Sequence, residues 1–175
     1  MRYTGPKWRI NRRENATVLG SGEKWKRRSS LPGQFPILKK RPSEYAIQFR
    51  EKQKVKRMYG MTEKQFRNFY EIALKSENTS TRLMQLLELR IDNVIYRLGL
   101  AQTRAQARQF VTHDHVLLNG KKHNIPSAIV KPGDEIKFVD KFAKSPVNAV
   151  ISATNKAVKA PAWFCLLYTS PSPRD

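Results

Sequence analysis

The chain has 175 residues, with 34 Lys+Arg against 14 Asp+Glu and a formal net charge of +20. Such a charge repels itself in a compact state unless a polyanion accompanies it, so nucleic acid is the expected partner and an anionic membrane surface the lesser one. One cysteine, Cys165, cannot build a disulfide framework or a cysteine zinc site, and no apolar run reaches bilayer-spanning length. Cysteine scarcity fits a reducing cytosol, and a hydrophobic content of 39% allows one domain or two small ones with modest cores.

Residues 1–57 hold 17 Lys+Arg and 4 Asp+Glu, hence +13, and the remainder 17 and 10, hence +7. The first third is therefore a basic arm. Residues 1–42 mix Gly, Pro, Arg and Lys without helical or strand period, and Leu31-Pro-Gly-Gln-Phe-Pro36 is turn-rich. In isolation such a stretch should be mostly disordered. Arg2, Lys7, Arg9, Arg12 and Arg13 interrupt any signal-peptide core. Arg12 and Arg13, with the aromatics Trp8, Trp25 and Phe35, suit phosphate pairing and base stacking. The plainer alternative is a flexible tail whose aromatics pack on the domain.

Ser43 reads as the N-cap of a helix through Tyr59, with Gly60 in the C-terminal cap position. Lys52, Lys54, Lys56 and Arg57 crowd its last two turns, more cations than a helix dipole needs. Thr62-Glu-Lys-Gln65 matches a capping box that opens a second helix. There Phe66, Phe69, Tyr70, Ala73 and Leu74 form a core stripe. After the polar break Glu77-Asn-Thr-Ser80, one continuous helix is expected from about Thr81 to Leu98. Leu83, Leu86, Leu87, Ile91, Val94, Ile95 and Leu98 make its apolar face, and Gly99 stops it. Arg90 and Arg97 fall on one margin of that face, Arg82 farther round, and Asp92 on the side away from it. Thr103-Arg-Ala-Gln106 is a second capping box, starting a short helix with Arg104 and Arg108 one turn apart and Ala107 and Phe110 inward.

The period then changes. Val116-Leu-Leu118 reads as a strand and Asn119-Gly120 as a hairpin turn. Ile125 to Val130 leads into the turn Lys131-Pro-Gly-Asp134, and Glu135 to Val139 alternates as a strand. A weakly helical run covers Pro146 to Ala160. The fold class is α+β: a basic, disordered-like N-terminal arm (1–42), a helical subdomain (43–81), a module of two helices plus a small bent antiparallel sheet (82–145), a C-terminal helical segment (146–163) and a tail (164–175).

Constellations for catalysis are scarce. His113-Asp-His115 could ligate a metal only on one strand face and lacks a third ligand; a loop whose imidazoles touch phosphate is favoured. Neither a phosphate-cradling loop nor a Gly-x-Ser-x-Gly elbow is present. No cofactor and no metal are expected. The stronger candidate is the arginine set Arg82, Arg90, Arg97, Arg104 and Arg108, from two consecutive helices, since guanidinium suits bidentate phosphate contact. Lys121 and Lys122 at the hairpin tip extend the same groove. Such a surface reads RNA backbone and shape more than base edges.

Residues 82–140 resemble the S4-type RNA-binding module. The motifs are Arg90-Ile-Asp-Asn-Val-Ile-Tyr-Arg-Leu-Gly99, Thr103-Arg-Ala-Gln-Ala-Arg-Gln-Phe-Val111, Val116-Leu-Leu-Asn-Gly120, Asn124-Ile-Pro-Ser127 and Val130-Lys-Pro-Gly-Asp134. Tyrosyl-tRNA synthetases and pseudouridine synthases share this module, so by itself it implies only RNA binding. The flanks narrow it. Tyr3-x-Gly-Pro6, Pro32-Gly-Gln34, Ser43-Glu-Tyr45, Arg50-Glu-Lys-Gln-Lys-x-x-Arg57-x-Tyr-Gly60 and Gln65-Phe-Arg67 resemble the bacterial or organellar small-subunit ribosomal family that carries this module, over roughly residues 1–163. Arg90-Ile-Asp92 also resembles the surroundings of the catalytic aspartate in pseudouridine synthases. Asp92 on a solvated helix face, and the lack of room for a catalytic domain, favour a plain surface residue.

The resemblance implies a structural constituent of the small ribosomal subunit, not an enzyme. It implies direct binding to small-subunit (16S-type) rRNA at a multi-helix junction of the 5′ domain, and nucleation of assembly. It further implies contacts with small-subunit proteins five and three along the path by which messenger RNA (mRNA) enters, and support of translational accuracy. No membrane is involved, and the location is the ribosome of the cytoplasm or of an organelle. The alternatives are an RNA-modifying enzyme or a free RNA-binding factor using the same module. One branch of the family has an N-terminal cysteine zinc site, which this chain lacks the cysteines to form. Pro161-x-Trp163 fits the pattern, but Phe164-Cys-Leu-Leu-Tyr-Thr-Ser-Pro-Ser-Pro-Arg-Asp175 does not. That tail reads as translated sequencing adapter, which would leave the native C-terminal segment missing and Cys165 without meaning.

Overall fold

The computed structural model describes residues 3–20, 24–27, 30–33 and 42–155, without the side chains of Lys24, Trp25, Ser152, Thr154 and Asn155. The expectations for Gln34, Phe35 and Pro36, for the run beyond Asn155, for Trp163 and for the tail with Cys165 lie outside the described residues. The α+β class is borne out. The chain divides into two compact units, Met1–Glu71 and Ile72–Asp175.

In the first unit, helix α1 (Lys7–Glu14) lies within the arm, where no helix was expected. Its buried residues are Asn11 and Glu14, so there is no apolar period to read. The Asn11 side chain is fully enclosed: Nδ2 donates to Leu19 O at 2.9 Å, and Oδ1 accepts from Val18 N at 3.1 Å and Leu19 N at 2.9 Å. Glu14, closed off from solvent, accepts from the Arg57 guanidinium and pairs with Arg50 at 3.6 Å. The helix ends at Asn15, in the left-handed region at φ 47°. A 3-10 turn spans Lys24–Arg27.

Helix α2 (Glu44–Met58) begins where the cap was read: Ser43 Oγ accepts from Ala46 N at 3.3 Å. It closes in a Schellman turn, with Met61 N on Lys56 O and Gly60 N on Arg57 O, both at 3.1 Å, and Gly60 at φ +62°. Helix α3 (Glu63–Ala73) is capped by Thr62, whose Oγ1 accepts from Gln65 N at 3.4 Å. Phe66, Phe69 and Ala73 are buried, but Tyr70 and Leu74 are exposed. The expected stripe is therefore narrower, one residue per turn at spacings of three and four.

In the second unit the single helix expected from Thr81 to Leu98 is two. Helix α4 (Thr79–Glu88) stops at Leu89, Arg90 is extended at φ −66° and ψ 135°, and helix α5 (Ile91–Arg97) restarts. The physical reason is a competing backbone partner. Arg90 bridges Ile129 in antiparallel fashion, Ile91 N donates to Ala128 O and Val130 N to Leu89 O, each at 2.9 Å. Helical bonding across residues 89–91 is replaced by pairing with residues 128–130. The apolar spacing continues through the break, with Leu86, Leu87, Ile91, Val94 and Ile95 all buried.

Helix α6 (Arg104–Thr112) follows, capped by Thr103 Oγ1 accepting from Gln106 N at 3.2 Å. The sheet has order β2-β1-β3 and is antiparallel throughout, with β1 (Val116–Leu118), β2 (Lys121–Lys122) and β3 (Ile136–Phe138). Leu117 faces Lys122 on one side and Lys137 on the other. The hairpin is the expected one, with Asn119 at φ 51° and Gly120 at φ 77°, as a primed two-residue turn requires. Helices α7 (Asp140–Ala143) and α8 (Pro146–Asn155) complete the described chain. The core joins Ile91, Val94 and Ile95 of α5 to Ala107, Phe110 and Val111 of α6, Val116 and Ile136 of the sheet, and Ile151 of α8.

Candidate nucleic-acid interface

Four arginines, two acids and an amide on α4, α5, α6 and the break between α4 and α5 form two bonded clusters, one built on Glu88 and Asn93 and the other on Asp92. Glu88, at the end of α4, is buried. Its Oε1 accepts from Arg97 Nη2 at 2.7 Å, and its Oε2 from Arg97 Nε at 3.0 Å and Asn93 Nδ2 at 2.6 Å. Asn93 Oδ1 accepts from Arg104 Nε at 2.8 Å, and the Arg104 guanidinium lies over the Tyr96 ring at 4.5 Å. Asp92 accepts from Arg90 at both oxygens, Nε on Oδ1 at 3.1 Å and Nη2 on Oδ2 at 2.8 Å. Its Oδ2 also accepts from Arg108 Nη1 at 3.2 Å. Four guanidiniums around two carboxylates leave a local charge of +2.

Two expectations are corrected by this geometry. Arg90 does not line an exposed margin: it is 1% exposed, and its guanidinium is held by Asp92. The break at Leu89 turns it inward. Asp92 does not face water either. It is 5% exposed and bonded to two of the arginines, Arg90 and Arg108, instead of turned away from them. Its two guanidinium partners occupy the carboxylate, so the hint of a catalytic aspartate has no accessible group behind it.

The other expected residues divide by exposure. Arg97 keeps 37% of its side chain exposed, and Arg104 and Arg108 are half-buried. Arg82 is exposed on α4, with Nη1 3.4 Å from Gln85 Oε1. Lys121 and Lys122 are exposed on β2, an edge of the sheet. In the first unit Arg13 is exposed, and Arg12 donates from Nε to Ser30 O at 3.0 Å and from Nη2 to the same oxygen at 2.8 Å. The four cations at the end of α2 all have carboxylate partners. Lys52 and Lys56 grip the two oxygens of Glu63 at 2.6 Å each, Lys54 pairs with Glu51 at 2.6 Å, and Arg57 with Glu14. The hydrogen bonds from Lys52 and then Lys56 lower the Glu63 carboxyl from its ordinary 4.5 to about 2. Trp8 is exposed on α1.

His115 stacks on Phe142 with ring centroids 4.4 Å apart, while His113 is exposed. Burial first, and then the neighbouring His113, push the His115 imidazole below its ordinary value. Among the described residues no group of three His, Cys, Asp or Glu could hold a metal, and no helix is long and apolar enough to cross a membrane. The residues that sequence reasoning passed over are Glu88 and Asn93. The available signal was a pair of acids at 88 and 92, one helical turn apart, among four arginines.

Comparison with known proteins falls on the same segments. The profile described as "Ribosomal protein S4/S9 N-terminal domain" matches residues 2–88, and that of the "S4 domain" matches residues 89–136. The latter contains Arg90, Asp92, Asn93, Arg97, Arg104, Arg108, Lys121 and Lys122. The small ribosomal subunit protein uS4 of Opitutus terrae is 46% identical over 167 residues, which covers 94% of this chain and 82% of that one. Its counterpart in Dictyoglomus turgidum is 46% identical over 171 residues, covering 93% and 82%. That of Lactococcus lactis is 47% identical over 166 residues, covering 93% and 80%.

Proposed function

The chain belongs to the uS4 family of small-subunit ribosomal proteins, and on that premise we propose that its exposed cations form an rRNA-binding surface that helps to nucleate subunit assembly. It is a structural constituent of the small ribosomal subunit that binds rRNA, and not an enzyme. The observation that carries the surface is the pair of bonded clusters, which holds Arg97 and Arg104 on Glu88 and Asn93 and Arg108 on Asp92. It keeps a net positive charge and partly exposed guanidiniums within the segment matched by the S4 domain.

On this reading Arg97, Arg104 and Arg108 contact phosphate directly, and Arg90 braces them from inside. Arg82, Lys121 and Lys122 widen the surface in the second unit. Arg12, Arg13, Lys52, Lys54, Lys56 and Arg57 serve the first, where the carboxylate pairs of the last four compete with phosphate for the same donors. The RNA is the 16S-type 5′ domain. Small-subunit proteins five and three and mRNA are the proposed further neighbours, through which translational accuracy is supported. The proposed location is a cytoplasmic ribosome of bacterial type.

The test is the triple variant Arg97→Gln, Arg104→Gln, Arg108→Gln in the full chain, titrated onto a 5′-domain rRNA fragment over a salt series. Three lost phosphate contacts should lower the slope of log affinity against log salt by roughly 2 to 3. Unchanged affinity and slope in a folded variant would move the RNA surface elsewhere, to the arm first of all.

A further inference from the structure

Two carboxylates in the middle of a surface that binds a polyanion need a reason, since each repels the phosphate that the arginines attract. In the structure neither is a free surface acid. Glu88 and Asp92 are both buried, and every bond described for their carboxylates comes from Asn93 or from an arginine of the set. We propose that Glu88, Asp92 and Asn93 are positioning residues, which fix Arg97, Arg108 and Arg104 in advance of RNA binding. The inference rests on the reading of those three arginines as RNA contacts.

The geometry supports a division of labour within each guanidinium. An arginine carries five N–H donors in a planar fork. Arg97 turns Nε and Nη2 to Glu88, and more than a third of its side chain stays exposed. Arg104 turns Nε to Asn93 and lays its plane on Tyr96. Arg108 turns Nη1 to Asp92. Each anchor grips one edge of the fork. The three anchors are close in sequence, and the break at Leu89 together with the restart at Ile91 sets them. A long side chain that is already ordered gives up less freedom when phosphate arrives. The acids thus trade long-range attraction for preorganisation.

Charge and position make opposite predictions for Glu88→Gln. That change raises the local charge from +2 to +3, so attraction alone predicts tighter RNA binding. Positioning predicts weaker binding, by about tenfold, with the salt slope reduced by roughly 0.7 to 0.9, the signature of one lost phosphate contact. Asn93→Ala removes the Arg104 anchor without altering charge. Attraction alone predicts no change, and positioning predicts a comparable loss. Both are measured in the full chain on the 5′-domain rRNA fragment, beside the thermal midpoint.

A measurement on the unaltered protein decides the matter even if both variants fail to fold. In the free protein, relaxation of the arginine Nε–H groups should show Arg97, Arg104 and Arg108 as rigid as the backbone and Arg82 mobile. Equal mobility of all four would overturn the inference. So would binding in Glu88→Gln and Asn93→Ala as tight as in the parent, or tighter. If those two bind normally while the triple arginine variant is impaired, only the positioning role falls. If the triple variant also binds normally, the proposed surface falls with it.

Discussion

Arg108 Nη1 donates to Asp92 Oδ2 across 3.2 Å and sixteen residues of chain, and ties α6 to the first turn of α5. The same carboxylate receives Arg90 at both oxygens, in a pair exposed by 1% and 7% at the side chains. One acid thus fixes the break between α4 and α5 and the neighbouring helix together. A buried pair that loses one member leaves an uncompensated charge, which costs about 3–5 kcal/mol. Arg90→Ala leaves the buried Asp92 with Arg108 as its described partner, and should destabilise the second unit in urea unfolding by about 3 kcal/mol, the low end of that range. A loss under 1 kcal/mol would mean that Asp92 finds other solvation and that the brace is not needed.

The clamp of Lys52 and Lys56 on Glu63 makes a prediction in pH. The folded value of Glu63 is lowered to about 2, below its ordinary 4.5. Its stabilising contribution is therefore present above 4.5 and lost as the pH falls toward about 2. Glu63 is half exposed, so salt screens the effect and the stability at stake is small. An NMR titration of its carboxyl at low salt should find a midpoint near 2, rising toward the ordinary value when Lys52 and Lys56 are both replaced by Ala. A wild-type midpoint near 4.5 would show that the clamp does not form in solution.

Asn119 does two jobs in the hairpin. It takes the left-handed conformation, and its side chain joins Asp134 Oδ1 at 2.9 Å and Glu135 N at 2.8 Å. Asn119→Ala should destabilise by about 2 kcal/mol, through the positive φ and the lost bonds. The Asp134 carboxyl is held below its ordinary value first by Asn119 and then by the Lys131 amide, so its titration should move up in that variant. An unmoved Asp134 would contradict the contact.

Asn11 is the corresponding keystone of the arm. Its three side-chain bonds close the chain over Val18 and Leu19. Asn11→Ala removes the side-chain partner of the half-buried Leu19 carbonyl and amide, while Val18 N keeps Ala16 O, a loss of about 1–2 kcal/mol. Amide exchange at Val18 and Leu19 should accelerate in the variant, while that at Val111 and Val116 should not change. Uniform acceleration in both regions would contradict a local role.

What the sequence disclosed follows the physics of each signal. Ser43, Thr62 and Thr103 were legible as caps because a hydroxyl before an apolar repeat satisfies helix amides at short range. Asn119-Gly120 was legible because few residue pairs accept two positive φ values in succession. Helix α1 was not, because its buried residues, Asn11 and Glu14, are polar and periodicity counts only apolar ones. Nor was the break at Leu89: the apolar spacing runs through it without glycine or proline, and the cause is a segment some forty residues later in the chain. Because of that break the arginines belong to two bonded clusters and not to a plain charged margin. A helix drawn straight through Arg90 puts Asp92 on the wrong side.

We propose that this chain recognises small-subunit rRNA specifically, beyond attracting polyanions in general. The most direct measurement is its affinity for a 5′-domain rRNA fragment against an unrelated structured RNA of equal length, across a salt series. Both affinities should fall as salt rises, since both involve phosphate. At moderate salt the 5′-domain fragment should retain tight binding while the unrelated RNA loses it. Equal affinities at moderate salt would contradict specific recognition of that RNA.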